Sequence, residues 1–282
     1  MVWALPKSMK TWFGLIIAAN LYATGRRVLV YSKEMTGEAM RRRISCILAK
    51  VNYTRFKEGS LSTHEAAHLL ETLETLKDGP GRLWFTQADR HDGLPGGPAE
   101  IRRKIEIYQP HFVLLDSAYM LELPNAGSQA LDWKQLSLVN RQLKQIAKVT
   151  GVAILAILQE NERSALKYSK SRGTASLAMN TGAVMDCDIG LRLVYHSKKQ
   201  ELSIHFAAAR ETTYEGFTIN AIAAENFEYA HDNLYSVGDD FKDDQEEQPP
   251  APAVQPTSPV MDMHRRTVTP GDEVETDLRE DE

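Results

Sequence analysis

The chain has 282 residues, of which 43% are hydrophobic and 25% charged, a composition typical of one globular α/β domain with an appendage. No apolar run approaches the roughly 18 residues of a membrane span and no signal peptide is evident, so we expect no contact with a membrane. Cys46 and Cys187 lie far apart, which favours reduced thiols in a cytoplasmic protein. The formal net charge of -5 divides into +5 over residues 1–238 and -10 over residues 239–282.

The first residues contain most of a phosphate-binding loop. Such loops read G-x-x-x-x-G-K-[ST], with backbone amides around the phosphates, a lysine on them and a hydroxyl on Mg²⁺. Here Lys10 and Thr11 are in place, whereas the two glycine positions hold Ala4 and Met9. Only three residues precede Ala4, so we expect the strand before the loop to be almost absent. The loop would then be poorly anchored, or the start codon misplaced.

Along the chain, short β-rich runs alternate with helical patterns. Continuous apolar strands are predicted at 27–31, 82–86, 112–115 and 152–158, and further strands at 189–195, 202–208 and 217–222. Helices are predicted near 10–24, 36–50, 62–78, 98–108 and 132–150. The alternation predicts an α/β fold with a doubly wound, mostly parallel sheet and helices on both faces.

The last part of the chain differs in composition. Residues 239–282 hold six of the twelve prolines and few large apolar side chains, which predicts a disordered acidic tail after a folded core of residues 1–238. The tail is interpreted either as a solubilising extension or as a segment that recruits a replication partner. The mildly basic core is compatible with a polyanion such as DNA.

Polar residues follow three of the predicted strands. Glu34 comes shortly after strand 27–31. Asp116 directly follows strand 112–115, and Gln159 directly follows strand 152–158. Carboxyl ends of parallel strands meet at one edge of a sheet, where ligands of α/β proteins bind. We therefore expect these three side chains beside Lys10 and Thr11.

The ordered set resembles the RecA-like core of the DnaB-type replicative helicases, with a P-loop NTPase fold. The resemblance covers roughly residues 4–222. It is carried by the phosphate loop, by Ser-Lys-Glu-Met at 32–35, by Leu-Asp-Ser-Ala-Tyr-Met at 115–120, by the helix and strand at 141–159, and by Asp-Cys-Asp at 186–188. Ala-Ala-Arg at 208–210 stands where the family has Lys-x-Arg. The single core is similar to phage-type relatives, which would act in the bacterial host cytoplasm.

The resemblance implies a Mg-ATP site at the loop. Lys10 would hold the β- and γ-phosphates and Thr11 would ligate Mg²⁺, with Asp116 supporting the metal. The rest of the loop would line the phosphates, namely Pro6, Lys7, Ser8 and Met9.

The resemblance also implies catalytic roles and an assembly. Glu34 would polarise the attacking water, and Gln159 would sense the γ-phosphate. Arg210 would act in trans as an arginine finger on a neighbouring subunit, which requires a homo-oligomer such as a hexameric ring. Two departures weaken the site. Met9 stands where positive φ is often needed, at a cost of roughly 1 kcal/mol, and Ala208 removes the lysine partner of Arg210.

A motif of zinc proteases in this sequence has a simpler interpretation. His64-Glu-Ala-Ala-His68 matches H-E-x-x-H of zinc proteases, but we interpret it as an amphipathic helix with Ala67, Leu69 and Leu70 packed inward.

Cations cluster in residues 167–174, where Lys167, Lys170 and Arg172 would either track single-stranded DNA or belong to an ordinary solvated loop. The run Arg41–Arg43 is interpreted as a helix surface or a subunit interface. Asp186 and Asp188 rank low as functional residues, and Asp89 and His91 have no derivable role.

The sequence thus predicts an ATP-dependent helicase or translocase core of the DnaB type, acting on single-stranded DNA in replication and using ATP and Mg²⁺. The alternative is a non-motor RecA-like protein, such as a helicase loader, a scaffold or a recombinase-like filament protein.

Overall fold

The computed structural model of the protein describes residues 1–86, 96–123, 133–160, 186–210, 216–223 and 226–232. Its helices are α1 (Lys10–Ala23), α2 (Gly37–Ala49), α3 (Tyr53–Glu58), α4 (Thr63–Lys77), α5 (Pro98–Tyr108) and α6 (Trp133–Thr150). Its strands are β1 (Val2–Ala4), β2 (Arg27–Ser32), β3 (Arg82–Thr86), β4 (Phe112–Asp116), β5 (Ala153–Gln159), β6 (Ile189–His196), β7 (Glu201–Ala209), β8 (Phe217–Ala223) and β9 (Asn226–Asp232).

The strands form one sheet in the order β3-β2-β4-β5-β1-β6-β7-β8-β9. All neighbours from β3 to β6 are parallel, whereas β6 to β9 form an antiparallel meander. The predicted doubly wound, mostly parallel sheet is therefore confirmed. Among the described residues, no helix has both the length and the apolar character that crossing a membrane requires.

Alternate residues of the central strands feed two separate cores, as the period of two along a strand requires. Val28 and Val30 of β2 pack with α1 and α2 on one face of the sheet. Leu29 and Tyr31 of the same strand pack with α5 and α6 on the other face. Because helices cover both faces, this part of the sheet is accessible only at the ends of its strands. The carboxyl ends of the parallel strands form one edge, the carboxyl edge, and their amino ends form the opposite edge, the amino edge.

The expectation that the phosphate loop is poorly anchored was wrong. β1 has only three residues, but it lies inside the sheet between β5 and β6 and is completely buried. Trp3 packs over Gly190 of β6, where an added Cβ would lie 3.1 Å from the indole ring. The amino group of Met1 donates to the carbonyl oxygen of Ile189 at 2.8 Å. Hydrogen bonds on both sides thus anchor the residues that precede the phosphate loop.

Two further elements were not predicted. α3 is a six-residue helix that begins after Asn52, whose side chain accepts from the backbone N–H of Arg55, and ends at Gly59 in the left-handed conformation. β9 extends the antiparallel meander at the edge of the sheet.

The inward packing expected for α4 was partly wrong. Leu69 is buried, whereas Ala67 and Leu70 are exposed, Leu70 by 63%. Successive residues of a helix are about 100° apart, so the face that carries Leu69 and the partly buried Leu73 turns Leu70 toward solvent.

Candidate nucleotide-binding site

Four parallel strands end at one edge of the sheet, where the predicted site residues were expected. β1 ends at Ala4 and β5 at Gln159, which are register partners, and β2 ends beside Asp116 of β4. The connection of residues 5–9 and the first turn of α1 follow directly from Ala4. The structure therefore brings the phosphate loop and the carboxyl ends of β2, β4 and β5 to the same edge.

The backbone of the loop has a conformation that glycine adopts most easily. Met9 has φ 61° and ψ 13°, in the left-handed region, and Lys7 has φ 62°. Met9 also precedes the first residue of α1, and its carbonyl oxygen accepts from the N–H of Phe13 at 2.9 Å. The first N–H groups of a helix have no partner within that helix, so the start of α1 is suited to bind an anion. The positive φ expected at Met9 is confirmed.

The ammonium group of Lys10 is folded back onto the loop. Its Nζ donates to the carbonyl oxygens of Leu5 at 2.6 Å and of Ala4 at 3.2 Å. Burial lowers the pKa of Lys10, and the negative charges of Glu34, Asp116 and Glu160 act in the opposite direction. The lysine therefore lies near three carboxylates, while its hydrogen bonds go to the backbone of the loop. An incoming phosphate would replace the two carbonyl oxygens as its partner.

Thr11 and Asp116 are in direct contact, although 105 positions separate them in the chain. The hydroxyl of Thr11 donates to Oδ2 of Asp116 at 3.0 Å. Asp116 is 1% exposed, and burial raises the pKa of its carboxyl to about 6, with Thr11 acting against this shift. The charge of Glu34 raises this pKa further. Thr11 and Asp116 thus meet as the metal assignment requires.

The donor set fits a magnesium ion. Oδ1 of Asp116 is buried and has no hydrogen-bond partner among the described residues. A buried carboxylate oxygen without a partner is costly unless it gains a ligand. The hydroxyl of Thr11 beside it is a second hard oxygen donor, the kind of ligand that Mg²⁺ prefers together with phosphate oxygens. In the part of the chain that the structure describes, no cluster of three or more His, Cys, Asp or Glu offers another metal site.

Glu34 lies in an ordered turn after β2. The turn is fixed because Ser32 accepts from the N–H of Met35 at 2.9 Å and the N–H of Lys33 donates to the carbonyl oxygen of Asp116 at 2.9 Å. Glu34 itself is exposed. Its negative charge raises the pKa of both Lys10 and Asp116, so the carboxylate acts electrostatically on these two side chains. This position suits a group that must reach a water molecule.

Gln159 is exposed at the end of β5 and has a partner that the sequence analysis did not single out. The hydroxyl of Tyr119 donates to Oε1 of Gln159 at 3.4 Å. Tyr119 lies in a short 3-10 turn, Ala118–Met120, directly after β4. The only available signal was its place in the segment Leu115–Met120, since a tyrosine three residues after an acidic strand end has no specific meaning by itself.

Arg210 lies at the amino ends of the parallel strands, opposite the carboxyl ends where the phosphate loop lies. It follows β7, whose last residue pairs with Ile189 at the start of β6. Its Nε donates to the carbonyl oxygen of Cys187 at 3.2 Å and lies 3.7 Å from Oδ1 of Asp188, which also pairs with Lys144. A cavity of about 800 Å³ at this amino edge is lined in part by Arg210 and Asp188. The structure therefore does not bring Arg210 to the phosphate loop of its own chain.

The other basic candidates divide into described and undescribed residues. Arg43 lies over the rings of Trp12, at 5.0 Å, and Tyr53, at 5.8 Å, and Arg41 lies over Phe85 at 5.7 Å. These contacts agree with a helix surface for Arg41–Arg43. Lys167, Lys170 and Arg172, together with Asp89, His91 and the tail of residues 239–282, lie outside the described residues.

The H-E-x-x-H segment has a structural role at the start of α4. Ser62 accepts from the N–H of Glu65, and Glu65 accepts from the N–H of Ser62, a reciprocal pair that caps the helix. Glu65 also pairs with Arg55 at 2.6 Å. Its carboxylate is therefore engaged in capping, and His64 and His68 are both exposed.

A phosphate loop between a buried strand and a helix, with a threonine on the acidic end of a neighbouring strand, defines a P-loop NTPase with a RecA-like sheet. Residues 1–210 match the model of the DnaB-like helicase C terminal domain. The chain belongs to this family.

Curated relatives agree with this family. The chain is 26% identical over 193 residues to the replicative DNA helicase DnaB of Buchnera aphidicola subsp. Baizongia pistaciae, which covers 66% of this chain and 40% of that protein. It is 27% identical over 195 residues to DnaB of the subspecies Acyrthosiphon pisum, with the same coverage. The chain thus spans about 40% of the length of these curated relatives.

Two solved structures share the fold. One, described as an ATPase domain, has a TM-score of 0.70 and 19% identity, over 82% of this chain and 84% of that one. A DnaB-like replicative helicase described with its interactions with primase has a TM-score of 0.69 and 18% identity, over 80% of this chain and 56% of that one.

Proposed function

We propose that the protein is the motor core of a replicative DNA helicase, which hydrolyses Mg-ATP and moves on single-stranded DNA. The observation that carries the proposal is the contact between Thr11 and Asp116 beside Lys10. The last residues of a phosphate loop meet the end of an acidic strand there, at an edge with an anion-binding helix start. Membership of the DnaB-like family supports the same activity.

Each residue at the carboxyl edge has a separate role in hydrolysis. Lys10 exchanges its two carbonyl partners for the β- and γ-phosphates, and the backbone from Pro6 to Met9 surrounds them. Thr11, with support from Asp116, would hold Mg²⁺, which would supply positive charge against the charge that develops on the phosphates. Glu34, whose charge acts on Lys10 and Asp116, orients the attacking water and accepts its proton.

Gln159 and Arg210 would connect hydrolysis to the assembly and to DNA. Gln159 senses the γ-phosphate through its amide, which Tyr119 orients. Arg210 lies at the other edge of the sheet and acts on the ATP of the next subunit, so that the subunits form a closed ring, which we propose to be a hexamer. Lys167, Lys170 and Arg172 would contact single-stranded DNA that passes through the ring. The acidic tail would bind a replication partner in the bacterial cytoplasm.

ATP hydrolysis by the purified protein, with and without a poly(dT) oligonucleotide, tests the proposal. We expect turnover that DNA stimulates and that Lys10→Ala lowers by about 100-fold or more, since a positioned cation on the developing charge is lost. Lys57→Ala, at an exposed lysine in the last turn of α3, is the matched control and should leave turnover unchanged. Undiminished hydrolysis by Lys10→Ala would remove the phosphate-loop assignment.

A second candidate is a non-motor protein on the same fold, such as a helicase loader or a filament protein that uses ATP as a switch. Met9 favours it, because a bulky residue with positive φ stands where the phosphate-loop motif has a glycine. Size-exclusion chromatography with a slowly hydrolysed ATP analogue separates the two. A closed ring supports the motor, whereas an open filament, or a monomer that binds the analogue, supports the switch.

A further inference from the structure

A completely buried ion pair lies next to the nucleotide site and has no part in the chemistry described above. The carboxylate of Glu160 contacts Arg192 at 3.3 Å through Nη2 and at 3.4 Å through Nε. Both residues are 2% exposed. Desolvation of two charges offsets much of their attraction, and a buried pair replaced by apolar residues often leaves stability unchanged or improved. Stability alone is therefore a weak reason for this pair.

The pair encloses the end of the strand that leads into the phosphate loop. Glu160 follows β5 and Arg192 belongs to β6, and β1 lies between these two strands. Trp3 of β1 is the register partner of Arg192. The N–H of Glu160 donates to the carbonyl oxygen of Ala4 at 2.8 Å. The ion pair thus connects the two strands on either side of the last residues of β1.

The same carbonyl group connects the pair to the phosphate-binding lysine. The oxygen of Ala4 accepts from Glu160 N–H and also from Nζ of Lys10 at 3.2 Å. The carboxylate of Glu160 is one of the three negative charges that act on Lys10. Gln159, the assigned γ-phosphate sensor, is covalently next to Glu160. Glu160 therefore connects Lys10 and Gln159, the two groups that are assigned to the γ-phosphate.

We propose that Glu160 and Arg192 are positioning residues for the nucleotide site: their ion pair holds the ends of β1 and β5 together, so that Lys10 and Gln159 keep their relative positions when the phosphates bind. The inference rests on the proposed function, since it requires that the loop binds nucleotide. β1 offers only three residues of strand pairing, and the ion pair adds a connection across it that does not depend on the length of β1.

Paired substitutions test the inference. Glu160→Gln or Arg192→Met alone leaves a buried group without its counterpart and should lower the thermal unfolding midpoint. The double variant Glu160→Gln/Arg192→Met removes both charges and should regain most of that stability. We expect it to bind a fluorescent N-methylanthraniloyl-ADP about tenfold more weakly than the wild type and to hydrolyse ATP more slowly.

The control is another buried ion pair among the described residues, Glu100 with Lys104 on α5, 3.4 Å apart and 3% or less exposed. Glu100→Gln/Lys104→Met removes an equal number of buried charges from helix α5 and leaves β1, β5 and β6 unchanged. It should keep wild-type affinity for the labelled ADP. Equal affinity of the wild type and the Glu160/Arg192 double variant would overturn the inference while leaving the proposed function intact. Absence of binding by the wild type would instead overturn the proposed function.

The wild-type protein gives a second test that does not depend on how the variants fold. Amide hydrogen exchange is measured on peptides that cover residues 1–5 and 158–160, with and without saturating ADP. If the pair positions the loop, both peptides should gain protection together when nucleotide binds, by about fivefold or more. Protection gained only at the loop, with the end of β5 unchanged, would overturn the inference.

Discussion

The hydroxyl of Thr11 donates to the buried carboxylate of Asp116 at 3.0 Å, which joins the start of α1 to the end of β4. Because burial raises the pKa of Asp116 to about 6, the ionised form is held at a cost in the protein without nucleotide. A metal ion at this position would remove that cost. The hydrogen bond from Thr11 offsets part of the same cost.

Replacement of Asp116 by asparagine should stabilise the nucleotide-free protein at pH 7.5. A carboxyl group with a higher pKa in the folded than in the unfolded state favours folding at low pH, and this contribution is lost as the pH rises through about 6. Asp116→Asn removes the cost of the buried charge, on the order of 1–3 kcal/mol at pH 7.5. Urea denaturation at pH 5, 6, 7 and 7.5 measures the gain, which should shrink toward pH 5.

Asp78→Asn, at the exposed end of α4, is the control and should show no such dependence on pH. The Asp116→Asn protein should also lose Mg-dependent ATP hydrolysis, so that stability and activity change in opposite directions. A gain in stability that is independent of pH, or a loss at pH 7.5, would contradict the assignment of a costly buried charge.

At position 9 a glycine should make the protein more stable than an alanine does, which is the reverse of the usual order within a helix. At φ 61° a Cβ atom is strained, so Met9→Gly should be more stable than Met9→Ala by about 1 kcal/mol. Both variants lose the same apolar contacts, and the comparison therefore isolates the backbone. At Asn20, an exposed position within α1, the order should be the normal one, with glycine less stable than alanine by about 1 kcal/mol. Urea denaturation of the four variants gives both differences.

An equal or lower stability of Met9→Gly relative to Met9→Ala would show that the loop relaxes out of the left-handed conformation. The comparison also bears on function. If the strain weakens nucleotide binding, Met9→Gly should bind ADP more tightly than the wild type, and fluorescence titration with the labelled ADP measures this.

The sequence predicted the elements well, but not the tertiary contacts of single charged residues. The strand boundaries at 82–86 and 112–115 lie within one residue of β3 and β4, because continuous apolar runs of that length are typical of buried parallel strands. Asp116 was expected at the sheet edge for the same reason. Glu160 was missed, since a glutamate after a strand normally faces solvent, and only the alignment of β6 beside β1 brings Arg192 to it.

The sequence also did not predict where Arg210 lies relative to the phosphate loop of its own chain. The motif assigned a role in trans, but the opposite edge of the sheet follows only from the antiparallel pairing of β6 and β7. β1 was underestimated because its anchoring comes from both neighbouring strands and from Trp3 on Gly190, which are contacts distant in sequence. Local patterns determine elements, whereas these contacts depend on the order of strands in the sheet.

The histidines of the H-E-x-x-H segment should bind no zinc. Ser62 and Glu65 cap α4, so we expect Ser62→Ala to destabilise the protein by about 1 kcal/mol. The double variant His64→Ala/His68→Ala, in contrast, should change neither the metal content nor ATP hydrolysis. Metal analysis of the protein by mass spectrometry, together with urea denaturation, checks both statements. One zinc per chain, lost in the double histidine variant, would contradict the capping interpretation.

Arg210 should complete the site of a neighbouring subunit rather than its own. Arg210 lies at the amino edge of the sheet and Lys10 at the carboxyl edge, separated by the length of a five-residue strand, roughly 15 Å. Arg210→Ala and Lys10→Ala should each abolish hydrolysis alone. In an equal mixture, about a quarter of the interfaces would combine an intact Lys10 with an intact Arg210 from the next subunit. ATP hydrolysis should then reappear on mixing after the subunits have exchanged.

A mixture as inactive as its components would rule out the trans assignment, since a cis or purely structural role gives no intact site. Mixing Lys10→Ala with Lys10→Ala/Arg210→Ala, in which no interface is intact, is the control and should stay inactive.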